Sequence, residues 1–393
     1  MQHLKKYSIY YLLGLLNLIY ILIRLPDFYR PLWSDELISI RTTNVNPLNN
    51  PLYDGVSTNL PLFYYFIKIF SFFFTGENLR ITSLIFSIVI LNLFLYRYLK
   101  EKNNYYLIAS VLITFSPIQI YYSTELRTYM FTQLLLIIQF YFLVDYLNKK
   151  KTNYFFWAIT IFLSLISHYT SYIFVFSVGL FLIFREKKLS EALLKAFIFP
   201  SILGFLVLIS VSGNYGFSDS TEKSILNLNF ERFTIFNLKE NFLRLIEVVT
   251  IYYNFGLHYY RLDELFTSLF KKSMYFFFLI PVIWIFLKSK FQYQILNLTA
   301  TILTLCLFFA ILFDLSGFIA FAGRYIFPFN FLYILFISIV LNEFLKIKKI
   351  YFLLLLMIFI ISYNLYNTCL FHQLNIYKGN EDPQGRIIQN CFK

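Results

Sequence analysis

The feature that most constrains this chain is the recurrence of long, unbroken apolar stretches. They fall at roughly 7–25, 80–98, 104–122, 126–146, 153–167, 169–184, 194–211, 273–288, 293–313, 325–345 and 350–366. Most approach the ~20 residues that a helix needs to cross the ~30 Å hydrocarbon layer of a bilayer. They are continuous rather than alternating, which argues against a transmembrane barrel. Hydrophobic residues make up 59% of the chain and charged residues only 14%. A soluble fold cannot bury that much apolar surface, and disorder needs the opposite composition. The expected fold is an all-α integral membrane protein with about eleven transmembrane helices.

A twelfth apolar stretch, residues 60–74, is short and carries Lys68 in its middle. The distribution of basic residues decides its place. If it does not cross, the N-terminus, Arg97–Lys102, Lys149–Lys151, Arg185–Lys195, Lys288–Lys290 and Lys346–Lys349 all share one side. Lys and Arg are then several-fold denser on that side, which is the cytoplasmic signature. If it does cross, every later basic loop inverts. The expectation is therefore an outer-face helix over 60–74, with Lys68 snorkelling. The same parity places the N-terminus in the cytoplasm and the C-terminus outside. The net charge of +13 is thus a statement about topology rather than about nucleic acid.

Two units follow: 1–211 with an outer loop at 26–79, and 212–393 with an outer loop at 212–272 and an outer tail at 367–393. The N-terminus reads as a retained first span, with no small-residue cleavage site before Arg24 and Pro26. The three cysteines fit no metal spacing. Cys369 and Cys391 both fall in the outer tail, where a disulfide is one outcome and two free thiols the other.

Polar chemistry is confined to the outer connections. The first contains Trp33-Ser34-Asp35-Glu36. Two carboxylates beside an apolar surface suit general-base work. The same four residues also read as a helix start, with Ser34 as cap and both acids in the first turn. The second outer turn runs from Ser116-Pro117 to Tyr129 and contains Tyr122, Glu125 and Arg127. Glu125 and Arg127 read either as site residues or as an interfacial ion pair. His168 lies in a turn of a few residues, and Arg324 follows Gly323 just before a late span. A histidine at a span end is commonly an interface residue, and an arginine there a headgroup anchor. Together these short turns bring polar groups to one membrane face, as a site handling an anionic lipid head would need.

The arrangement resembles the GT-C superfamily of polyprenyl-phosphate-dependent glycosyltransferases, in its branch of protein O-mannosyltransferases and aminoarabinose transferases. Asp35-Glu36 stands where that branch has its acidic pair. Asn59-Leu60-Pro61-Leu62-Phe63-Tyr64-Tyr65 stands where the branch has a His-Pro-Pro-Leu-Tyr-Tyr-like segment. Arg80 opens the next span, Ser116 to Tyr129 matches a Ser-Pro…Tyr-Tyr-Ser…Glu-x-Arg-x-Tyr segment, and His168 follows at the next turn. Beyond about residue 185 only Gly323-Arg324-Tyr325 and overall hydropathy match.

The resemblance implies a sugar donor carried on polyprenyl phosphate, used on the outer face of a plasma (inner) membrane. The acceptor would be a glycan, lipid or protein, and the partners would include membrane lipids but no nucleic acid. Asp35, with Glu36 beside it, would be catalytic. Asp35 would deprotonate the acceptor hydroxyl for an inverting displacement. Arg127, Arg324, His168, Glu125 and Tyr122 would bind the donor phosphate and sugar. No cofactor is required beyond the lipid-linked donor, although the carboxylates leave room for a divalent metal.

Two alternatives remain. An O-antigen ligase or polymerase would place its key arginines and histidines in a late outer loop, whereas here the pattern is early. A non-enzymatic transporter of lipid-linked sugars would show mid-bilayer charges and broken helix pairs, which this sequence does not.

Overall fold

The computed structural model describes residues 2–28, 32, 36–37, 39–40, 43, 62–148, 152–186, 190–214, 294–315 and 326–346. The described residues are helices joined by short connections, with no strand among them. In chain order they are α1 (Gln2–Phe28), α2 (Leu62–Phe70), α3 (Ile81–Glu101), α4 (Asn104–Phe115) and α5 (Pro117–Ser123). Next come α6 (Tyr129–Leu147), α7 (Tyr154–Leu165), α8 (Thr170–Arg185) and α9 (Glu191–Asn214). Finally come α10 (Gln294–Leu315) and α11 (Asn330–Lys346). Short 3₁₀ turns at Gly76–Arg80 and Phe327–Phe329 lead into α3 and α11.

Helix α6 is the hub. It is apolar on every side, and a helix with no polar face belongs inside. It packs on α3, α7, α8 and the 327–329 turn. Helices α4, α11, α10 and α8 form a continuous wall, each packed on the next. Helix α11 thereby brings a late part of the chain back against α4. Helix α9 lies along α7, and Gly204 makes that approach possible: a Cβ there would sit 2.9 Å from Leu165 Cβ. Helix α1 flanks α3, α4 and α5, and Asn17 and Asn92 exchange amide hydrogen bonds across α1 and α3.

The outside of this bundle is greasy. Leu15, Leu18, Leu22, Phe155, Phe184, Phe199 and Phe205 are exposed. Gly76–Glu101, Tyr129–Leu147 and Ile295–Leu312 are long and apolar enough to cross a membrane, and shorter apolar helices accompany them. This is an all-α membrane protein.

Two details refine the sequence reading. First, α2 has only nine residues, about 13 Å of helix, less than half the hydrocarbon thickness. It does not cross. Phe63, Tyr64 and Ile67 are buried against Leu79, Leu126, Phe131 and Leu135, while Lys68 faces out. Second, the stretch expected as one span over 104–122 is broken. Ser116 is extended (φ −66°, ψ 119°), because Pro117 excludes the helical region for the residue before it. The chain therefore turns at Ser116 and restarts as α5, with Pro117 opening it. The expected spans 273–288 and 350–366 lie outside the described residues.

Candidate active site

One end of the bundle gathers the connections that the sequence singled out. The brace that joins them is built on Glu36, which is fully buried. Arg80 grips its carboxylate with two parallel bonds, Nε to Oε1 at 2.8 Å and Nη2 to Oε2 at 2.6 Å. The backbone N–H of Leu126 donates a third bond to Oε1 at 2.9 Å. Two buried charges are tolerable only when paired and hydrogen-bonded in this way. Arg80 is aimed by the Gly76–Arg80 turn, which Gly76 enters at φ +57°, a conformation that glycine adopts without penalty.

The brace locks the connection between α5 and α6. Ser83, one turn into α3, donates its hydroxyl to the Glu125 carbonyl at 2.7 Å. The Arg127 N–H turns back onto the same carbonyl at 2.8 Å. Thr128 donates to the Ser167 carbonyl at 3.2 Å, and the Leu62 N–H reaches the Ile166 carbonyl at 3.4 Å. The start of α2, the start of α3, the 124–128 turn and the 166–169 turn therefore share one end of the bundle.

Aromatic rings fill the space between these turns. Tyr122 lies against Phe327 (ring centroids 4.1 Å apart) and against Tyr129 (5.1 Å). The His168 ring meets Tyr129 edge-on at 5.5 Å and stacks on Tyr169 at 4.3 Å. The Arg127 guanidinium sits 5.9 Å from the Tyr129 ring centre. Glu125, Arg127, Tyr122 and His168 are all buried. Gln133 donates to the Phe327 carbonyl, and Gln119 to Asn330, so α11 is tied to the same end.

Of the residues expected at the site, Glu36, Tyr122, Glu125, Arg127 and His168 are thus brought to one end. Asp35 and Arg324 lie outside the described residues, as do Cys369 and Cys391. Glu36 has the geometry of a brace, with its oxygens engaged by three donors. Among the described residues no three His, Cys, Asp or Glu side chains gather as metal ligands would.

Two arginines at this end carry more than the sequence suggested. Arg80 was visible only as a span opener, and its partner lies 44 residues away. Arg24 is fully buried, and its guanidinium lies 3.3 Å from the Tyr20 ring centre. It donates to the Ile113 and Thr114 carbonyls and to the Ser123 hydroxyl. Those carbonyls end α4, where helix geometry leaves them without intrahelical partners. Arg24 therefore caps the break at Ser116–Pro117. The signal for it was the proline itself: a helix broken inside an apolar layer needs a donor from elsewhere.

Residues 58–215 match the family model of the dolichyl-phosphate-mannose-protein mannosyltransferases. This segment is a GT-C superfamily domain. It contains α2 to α9, and with them Arg80, the Glu125–Arg127 turn and His168. No curated protein and no solved structure matches the chain. The match supports a membrane glycosyltransferase activity of the GT-C type.

Proposed function

We propose that the protein moves a sugar from a polyprenyl-phosphate donor to an acceptor hydroxyl at the outer face of a plasma membrane. The observation that carries this reading is the family match over 58–215. The density of Lys and Arg on the opposite connections supports an outer location for the site.

Asp35 is the general base. It takes the acceptor proton as the oxygen attacks the anomeric carbon, and the carbon–oxygen bond to the lipid phosphate breaks. One base and one displacement invert the anomeric centre. Glu36, the next residue, is held by Arg80 and the Leu126 N–H. That anchor fixes the chain within one Cα step of Asp35. The departing phosphate gains negative charge, which Arg127 and Arg324 stabilise with His168. Glu125 and Tyr122 flank the sugar. The C-terminal half beyond 211 shapes the acceptor side.

The test is transfer by the reconstituted protein, with polyprenyl-phosphate monosaccharides as donors. Asp35→Asn should fold and bind donor but lose about 10²–10⁴-fold in turnover, the usual worth of a general base. A loss below about tenfold would move the base to another group.

A further inference from the structure

His168 is held in one protonation pattern by its neighbour in the turn. The backbone N–H of Thr170 meets His168 Nδ1 at 3.2 Å, and the Thr170 hydroxyl lies 2.8 Å from the same nitrogen. A backbone N–H can only donate, so the nitrogen that receives it presents a lone pair. The ring proton then sits on Nε2. The Thr170 hydroxyl, facing that same lone pair, donates as well. The donor N–H belongs to the first turn of α8, where the helix offers no carbonyl to accept it. The imidazole fills that place, which ties its orientation to the start of the helix.

The ring has little freedom to turn. It is fully buried, stacked on Tyr169 and met edge-on by Tyr129, the ring beside which Arg127 lies. We infer that Thr170 is a positioning residue that holds His168 as its Nε2–H tautomer, making the histidine a neutral hydrogen-bond donor to the phosphate of the lipid-linked donor. Charge neutralisation then falls to the arginines. Nε2–H contributes a directed hydrogen bond to a non-bridging oxygen of the phosphate as the sugar leaves. No proton is transferred to or from His168 in this step. The substrate half of the inference rests on the proposed transfer reaction. The tautomer half rests on the geometry alone.

Nitrogen-15 NMR with selectively labelled histidine tests the tautomer in the detergent-solubilised full chain. The protein has four histidines, and the signal that disappears in His168→Gln belongs to His168. The expected spectrum at neutral pH shows a protonated Nε2 and a bare Nδ1. Kinetics with a polyprenyl-phosphate sugar test the role. A glutamine amide reaches the Nε2 position and an asparagine amide only the Nδ1 position. His168→Gln should therefore stay within about tenfold of wild-type turnover, and His168→Asn should fall about 10²–10³-fold, the loss expected for one oxyanion donor. Thr170→Ser should behave as wild type. Thr170→Val should lower kcat about tenfold with KM little changed, and a minor Nδ1–H signal should appear. A wild-type spectrum with a protonated Nδ1 overturns the inference, as does equal turnover in the two His168 variants. A Thr170→Val protein that matches wild type in spectrum and kcat removes the assignment to Thr170. Absence of transfer by the wild type with every donor would count against the proposed function, while the spectrum still decides the tautomer.

Discussion

Helix α3 has a bidentate arginine–carboxylate pair at each end, and the two pairs are built differently. At the site end, Arg80 holds Glu36 with both partners wholly buried, and the carboxylate also takes the Leu126 N–H. At the opposite end, Arg97 holds Asp145 through two bonds of 2.8 Å and also meets Glu101, one turn further along its own helix. Asp145 is 19% and Glu101 12% exposed. Arg97 also lies over the Tyr141 ring at 4.4 Å. The second pair joins two regular helices, α3 and α6, that already pack on each other. The first pair joins the helical residue Glu36 to the turn that opens α3 and, through the Leu126 N–H, to the 124–128 turn. An ion pair between packed helices adds to a contact that apolar side chains would keep without it. The Arg80–Glu36 pair instead ties together segments distant in sequence and so sets where the 124–128 turn lies.

The largest expected effect comes from breaking the buried pair. Glu36→Gln removes the carboxylate charge from a buried pair, which costs about 3–5 kcal/mol. The apparent Tm in detergent should fall and transfer should be lost. The double variant Glu36→Leu, Arg80→Met sharpens the comparison. Matched apolar replacement of a buried pair is often neutral for stability, so Tm should recover while transfer does not. Recovery of both would show that the pair does not position the turn.

A smaller effect is expected at the other end. Asp145→Asn should cost about 1–2 kcal/mol, because Glu101 and water still meet Arg97, and turnover should be unchanged. Loss of transfer in this variant would erase the distinction between the two ends. The smallest effect belongs to Glu101→Gln, an i,i+4 pair worth about 0.3–0.5 kcal/mol. A Tm shift larger than that of Asp145→Asn would mean that the same-helix contact, not the interhelical one, dominates there.

The sequence made the helices legible because hydrocarbon is an unforgiving solvent: apolar runs near 20 residues have few other uses. That 60–74 does not cross was also readable, from its shortness and from Lys68 in its middle. What was not readable was pairing. Arg80 and Glu36 were each visible, yet nothing in spacing says that residues 44 apart share two hydrogen bonds. Glu36 was legible as an acid beside Asp35, and its bidentate bond to Arg80 was not. His168 could be placed in its turn, but its link to Thr170 depends on the path of the backbone through residues 168–170. The break before Pro117 had a local cause in plain view, but the surrounding residues are so apolar that the run reads as continuous.

Arg24 carries a consequence for how the chain is made. Its partners at Ile113, Thr114 and Ser123 come 89 to 99 residues later. When α1 emerges from the ribosome, none of those oxygens exists. Within α1, Arg24 meets only the Tyr20 carbonyl and ring among the described contacts, and an arginine at the centre of a spanning helix costs about 2.5–3.5 kcal/mol during membrane insertion, less toward an end. The first span must therefore wait, held in the insertion machinery or with Arg24 reaching for the headgroups, until α4 and α5 are synthesised. The N-terminal helix is the first to be translated, yet its arginine is not satisfied until α5 has been made.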